Sequence, residues 1–319
     1  MRLQPAVLSV LFCASAAFGA DAALLKLIMP EARMVAGMDV ERARDSYFGR
    51  KLLEQMDTVK DADFTKFVAM TGFDPRRDLR EVLIAAPDAN TSKGQALILV
   101  RGAFDTGRIN GFMKVAGIAP AETLGGIDFY IKSDGKTEMG FAVVDSSLAV
   151  AGNKDAVRAA LQRRSGAGSA LAAATYAKVQ TLSKTNDIWA VTSIPVAELS
   201  GALPGGNAGP AGMMGGDAFK GIEHAAMGIR FGTEFMELTA ETVSRTDKDA
   251  TSIADVVRFL STMVQMNREK PEVKPFATAL DAMKLTTDAR TTTLTISLPM
   301  AEMEKMFKAN AKAAPAKKI

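Results

Sequence analysis

The chain offers few side chains able to make or break bonds. Its 319 residues include one histidine, His224, and one cysteine, Cys13. A zinc site would have to use carboxylates almost alone, and a Ser-His-Asp triad would have to use that single imidazole. No G-x-S-x-G phrase presents a strained serine, and nothing specific marks a serine-lysine pair. Phosphate cradles are missing too: neither G-x-G-x-x-G nor G-x-x-x-x-G-K-[ST] occurs. Gly166-Ala167-Gly168 does not follow a strand, so it reads as linker. The expectation is no catalytic residue, no metal ligand set and no cofactor.

The remaining candidates are charges and methionines. Asp39 and Glu41 flank the end of the first strand, on one side of it, with Val40 opposite. They could do acid-base work only if burial raised one pKa; a solvated strand end is the commoner outcome. Arg76, Arg77, Asp78, Arg80 and Glu81 form a mixed cluster, either an anion or partner site or an ion-pair network at a turn. Met213 and Met214 lie in the glycine-rich stretch 200–221, where adaptable thioethers suit apolar contacts; an insertion without a role is the alternative. Met213, Met214, Arg76 and Arg77 are therefore the candidate partner-binding residues. The implied partner is another envelope protein or an apolar ligand.

The first segment, MRLQPAVLSVLFCASAAFG, combines a basic start with a short apolar run and small residues. Ala17-Phe18-Gly19 offers an A-x-G site, so a signal peptide over 1–19 with cleavage before Ala20 is expected. Cys13 follows Phe12 inside the apolar run, which disfavours lipidation. Once Cys13 is removed no disulfide is possible, a pattern that fits a bacterial periplasm. The predicted location is periplasmic or secreted. A formal charge of +3 demands no nucleic-acid partner, and no later run reaches transmembrane length.

The elements that must position these residues follow from periodicity. Strands are expected at 33–40, 82–85, 95–101 and 127–132, then as a hairpin over 139–153 with a helix to 161. Helices are expected near 21–29, after Ser46, at 62–71 with Gly72 as a left-handed cap, and at 107–116. After the flexible stretch 163–169, a second series repeats the order. It has a helix at 170–183, strands at 187–194, 225–231 and 235–244, a helix started by Ser252, and a closing strand, turn, strand and helix over 284–310. In the last hairpin the threonines (Thr286, Thr287, Thr291, Thr292, Thr293, Thr295) alternate late with Leu294, Ile296 and Leu298, hydroxyls outward and aliphatics inward. Short turns require antiparallel pairing. The predicted fold is α+β: two tandem repeats of a mainly antiparallel sheet with helices packed on one face. The repeats span 20–165 and 170–308, and 309–319 is a disordered basic tail.

The phrases MPEARMVAGMDVERAR and GFDPRRDLREVLIA together resemble a family of secreted bacterial proteins of the acidobacterial type, over Leu24 to Gln162 with a weaker trace beyond. The resemblance implies export and supplies no activity, cofactor or catalytic residue. The functional expectation is a non-enzymatic exported envelope protein, a duplicated scaffold or binding module. Alternatives are a periplasmic carrier of lipid or another hydrophobic ligand, held between sheet and helices, and a hydrolase using His224, Asp39 and Glu41.

Overall fold

The structure is a computed structural model that describes residues 19–56, 62–89, 96–133, 135, 137–166, 168–195, 198, 219–270 and 273–303. Met213, Met214, most of the glycine-rich stretch and the tail 309–319 lie outside them. The chain begins with α1 (Ala22–Leu25), β1 (Met34–Asp39), α2 (Val40–Asp45), α3 (Tyr47–Met56), α4 (Ala62–Thr71), α5 (Pro75–Asp78), β2 (Leu79–Ala86) and β3 (Leu97–Gly102). It continues through α6 (Thr106–Val115), β4 (Glu122–Leu124), β5 (Ile127–Ser133), β6 (Glu138–Asp145), β7 (Leu148–Asn153) and α7 (Lys154–Arg163). Then come α8 (Ala173–Thr185), β8 (Ile188–Thr192), β9 (Ile222–Phe231), β10 (Phe235–Ser244), α9 (Asp247–Met266), α10 (Lys274–Asp281), β11 (Met283–Asp288) and β12 (Thr291–Pro299).

All these strands form one antiparallel sheet of 12, ordered β11-β12-β10-β9-β8-β1-β2-β3-β7-β6-β5-β4. Mainly antiparallel pairing is as expected. The stretches 20–165 and 170–308 meet edge to edge, through the pairing of β1 with β8. At this seam Gly37 lies opposite Trp189 on one side and Leu83 on the other. A Cβ on Gly37 would stand 2.4 Å from the Trp189 ring and 2.6 Å from Leu83, so the buried indole occupies the place of the missing side chain.

Helices cover both faces of the sheet, which corrects the one-face expectation. The register places Ala142, Val150, Leu99, Leu83, Gly37 and Trp189 in one cross-strand row. That row packs with Leu24 and Leu25 of α1, Val157 and Leu161 of α7 and Val179 of α8 in the main core. Val100, Val143 and Ala149 point the other way, toward Ile109 of α6. In β10 and β12, Met236, Ile296 and Leu298 share that second face and pack with Ala279 of α10. The physical reason lies in β2 and β3, whose Val82-Leu83-Ile84-Ala85 and Leu97-Ile98-Leu99-Val100 runs are apolar on both sides and need cover on both.

Local expectations fare unevenly. Gly72 ends α4 with φ +75° and its N–H on the Val68 carbonyl at 2.8 Å, as predicted. α9 begins at Asp247 instead of near Ser252: Thr246 accepts from the Asp249 N–H, and its hydroxyl donates to the Asp249 carboxylate at 2.8 Å. Ser252 lies inside the helix, donating to the Lys248 carbonyl at 3.0 Å.

The seam generates a paired prediction. Gly37→Ala forces a methyl into the Trp189 ring and should lower stability by about 1–3 kcal/mol, read as a lower urea midpoint at unchanged slope. Gly111→Ala, in α6 with nothing within 4 Å of its would-be Cβ, should raise stability by about 0.5–1 kcal/mol.

Candidate functional site

At one end of the seam the apolar row gives way to charge. Asp39, Glu81 and Arg101 lie side by side on β1, β2 and β3, on the face that carries α1 and α8. Asp21 closes over them: its carboxylate pairs with Arg101, and its N–H reaches both Glu81 oxygens at 3.4 Å. Arg101 also donates to Ser147 Oγ at 3.0 Å, while its Nε is buried without a partner among the described residues. The resulting cavity has a volume of about 870 Å³ and reaches Tyr176, Gln180, Ser183 and Lys184 of α8.

Arg42 holds the neighbouring wall. Its guanidinium pairs with Asp39 at 3.2 Å and with the buried Asp187 at 3.0 Å. It also donates to the carbonyls of Ser183, Lys184 and Asn186, where α8 ends and its backbone acceptors need donors. The other Asp187 oxygen accepts from the Phe231 N–H at 2.6 Å. One arginine therefore joins α2, the end of α8 and the entry to β8.

Glu81 is the group at odds with its setting. Burial pushes its carboxyl up to about 7; the nearby Asp21 and Asp39 charges add to the rise, while the Asp21 N–H and Arg101 oppose it. Sequence reading grouped Glu81 with the exposed arginines of the turn. The available signal was period 2, which puts it on the same face as Leu83 and Ala85 and therefore under α1.

The other face holds a different cavity, of about 470 Å³, between the sheet, α4 and α6. Val82, Ile98, Val100, Phe141, Val143 and Ala149 form its floor, and Phe67, Phe73, Phe104, Ile109, Phe112 and Met113 its walls. Its lining surface is apolar throughout. The one hydroxyl nearby, on Thr71, donates to the Phe67 carbonyl at 2.7 Å. Phe67 meets Phe112 edge-on at 6.1 Å and Phe73 stacks on Phe104 at 5.0 Å, so paired rings hold the walls apart.

Of the residues singled out by sequence, the structure brings Asp39, Glu41, Arg80 and Glu81 to the charged cavity and places His224, Arg76 and Arg77 elsewhere. Asp39 caps α2 through the Arg42 N–H at 2.9 Å, and Glu41 stands 4.0 Å from Arg44. His224 is exposed on β9 and lines a separate cavity of about 170 Å³ with Lys178 and Glu241, which pair at 2.6 Å. Arg76 pairs with Asp74 at 2.8 Å and lies 4.9 Å from the Phe64 ring; Arg77 pairs with Asp78 at 2.7 Å. Those side-chain bonds hold both aspartates below the usual carboxylate range. No group of three or more His, Cys, Asp or Glu able to hold a metal ion occurs among the described residues. No described helix is long and apolar enough to cross a membrane.

Glu81 yields a signed prediction for the chain in which residue 20 is in peptide linkage. Its folded pKa lies above the ordinary 4.5, so the protonated form favours the fold. That contribution is complete below about pH 4.5 and is lost as pH rises through about 7. Glu81→Gln should remove this decline and be the more stable protein at pH 8. Denaturant midpoints at pH 5 and pH 8 provide the check; equal pH slopes in the two proteins would refute it.

No family model matches the chain, and no curated protein matches it. Solved structures of TP0453, a Treponema protein, do. Crystal form IV aligns over 89% of this chain and 96% of that one, at 11% identity and a TM-score of 0.50. Crystal form III aligns over 91% and 99%, at 10% identity and 0.50. Crystal form I aligns over 92% and 99%, at 12% identity and 0.48. At such identities the likeness is one of fold.

Proposed function

We propose that this is an exported, non-enzymatic binding protein whose ligand is a small apolar molecule seated between α4, α6 and the sheet. The observation that carries the reading is the cavity of about 470 Å³ with no polar lining. Ligand pockets fall in this size range, and one without polar groups selects for apolar surface over a particular headgroup. Against catalysis, Asp39 and the nearby Asp187 are tied to Arg42, and Asp21 to Arg101. Export rests on the leader-like segment 1–19, and an acidobacterial-type origin on the phrases around Gly37 and Asp74.

The same reading takes the chain to be an internal duplication, with units over 20–165 and 170–308. Strand order near the seam supports it: one side runs β1-β2-β3-β7-β6, extended by β5 and β4, and the other β8-β9-β10-β12-β11. Each side thus has three strands in chain order followed by a hairpin entered from its second strand.

The uncharged fluorescent probe N-phenyl-1-naphthylamine, and organic extraction of the purified protein, test the proposal. The wild-type protein should bind the probe saturably and release an extractable apolar compound. Val100→Phe, which fills the floor, should cut probe affinity at least about tenfold while circular dichroism stays unchanged. Equal binding by the two proteins would refute the assignment.

A further inference from the structure

We propose that cleavage between Gly19 and Ala20 completes the fold: the new α-ammonium of Ala20 docks in a prepared seat on α8 and neutralises Glu81. The proposal rests on the export reading and is independent of the apolar ligand. Three observations meet here.

Ala20, the residue that cleavage would put first, is already part of the core at 5% exposure. Its N–H donates to Ser183 Oγ at 2.7 Å, and Gln180 Nε2 donates to its carbonyl at 3.1 Å. Ser183 is itself buried and its hydroxyl donates a hydrogen bond to the Val179 carbonyl at 2.7 Å. The chain is thus gripped from its presumed first residue by a helix some 160 positions away.

The space taken by Gly19 is walled by oxygen. A Cβ there would stand 2.8 Å from Ser183 Oγ, 2.9 Å from Gln180 Oε1 and 3.1 Å from the Gln180 carbonyl. That wall crowds any larger residue at position 19, and it sets the Gln180 oxygens beside Ser183 Oγ, the acceptor the Ala20 nitrogen already uses, so an ammonium that moves into the space Gly19 vacates has further acceptors to reach. An ammonium carries three donors; an amide N–H uses one acceptor.

The charge is matched as well. Four carboxylates (Asp21, Asp39, Glu41, Glu81) and three bases (Arg80, Arg101, Lys184) face this cavity, along with Tyr176. Arg101 is committed to Asp21, and Asp39 to Arg42 from outside the cavity. Glu81 forms no ion pair among the described residues and has only the Asp21 N–H, 3.4 Å from each oxygen. The Ala20 nitrogen is one residue from the Asp21 N–H that reaches Glu81, which bounds its distance from that carboxylate at about 7 Å, so pairing requires the freed amine to shift toward it. A buried carboxylate without a cation is costly, and a buried ammonium needs one of its own.

The covalent step is simple. Hydrolysis of the Gly19–Ala20 amide by a processing peptidase consumes one water. The leader leaves with the Gly19 carboxylate, and the amine on Ala20 is protonated at neutral pH, its ordinary pKa being about 7.7–8.0. Paired with Glu81, that pKa rises, so the stabilisation is complete between about pH 4.5, above which the carboxylate is ionised, and about pH 8, and is lost as pH rises further or falls into the acid range. The Glu81 carboxyl, high while residue 20 is an amide, falls once the ammonium is seated.

The test compares the chain beginning at Ala20 with the same chain acetylated on that amine, each with Glu81 and with Glu81→Gln. At pH 7 the free-amine protein should melt about 3 °C or more above the acetylated one, and Glu81→Gln should erase the difference. The sign of the substitution should also reverse at pH 8: Glu81→Gln stabilises the acetylated protein and destabilises the free-amine one. As a readout that needs no variant, an amine-acylating reagent at pH 7 should modify Ala20 at least about tenfold more slowly in the native protein than in urea. Equal melting points, a gap that survives Glu81→Gln, or equal labelling rates overturn the seat. Mass spectrometry of protein recovered after export tests the cut separately: a first residue of Ala20 supports it, and any other first residue overturns the cleavage assignment.

Discussion

The structure depends on one close approach, the Trp189 indole lying over the backbone of Gly37. These residues face each other where β1 and β8 pair, and the space for the ring exists because position 37 has no side chain. Backbone pairing across this seam gives the sheet its 12-strand continuity. The indole adds a large buried surface common to both sides, and area of this kind dominates folding energetics. Arg42 secures the same joint at its polar end, with Asp187 and the last carbonyls of α8 on one side and Asp39 on the other. Without the seam, β1 and β8 would each be an exposed edge.

A sheet so joined has two faces with different tasks. On one, the row from Ala142 to Trp189 is apolar, but its continuation through Gly228, Thr239 and Thr295 is small and polar. Among the described residues α1, α7 and α8 crowd the first part of this face, and α8 reaches the hydroxyl-rich part through the Lys178–Glu241 pair. The other face is apolar nearly throughout, from Val143 across Met38 and Ile188 to Ile296. α4 and α6 cover one end of it, and α9 and α10 the other. The greasy cavity lies on this second face and the charged cleft on the first, so the two are separate surfaces of one platform.

Much of this was legible in the residues. Alternation placed most strands within a few positions, and Gly72 announced the end of α4. Periodicity names a face, however, and does not name a partner. Nothing local to MVAGMD or IWAVT says that these strands meet, because the fit of Trp189 to Gly37 joins positions 152 apart. The apolar runs in β2 and β3 are two-sided, a property of inner strands, and such strands need helices on both faces. α9 was entered late because Thr246-x-x-Asp249 and Ser252-x-x-Asp255 present the same capping pattern, and the polar first turns hide the earlier one. Glu81 was obscured by company: four charged neighbours suggested a surface cluster, while its strand position buries it under Asp21. The Asp21 to Glu81 meeting, like Ala20 to Ser183, depends on tertiary packing that no spacing rule reveals.

Native-state hydrogen exchange at the seam tests this account most directly. If the sheet is one cooperative platform built on the β1–β8 joint, the hydrogen-bonded amides of residues 34–39 and 188–192 should exchange only through global unfolding. Their opening free energy should then match the value from denaturant titration and that of the flanking β2 and β9. Seam amides that exchange with a markedly lower opening free energy, while β2 and β9 stay protected, would mean two independently stable bodies in loose contact and would contradict it.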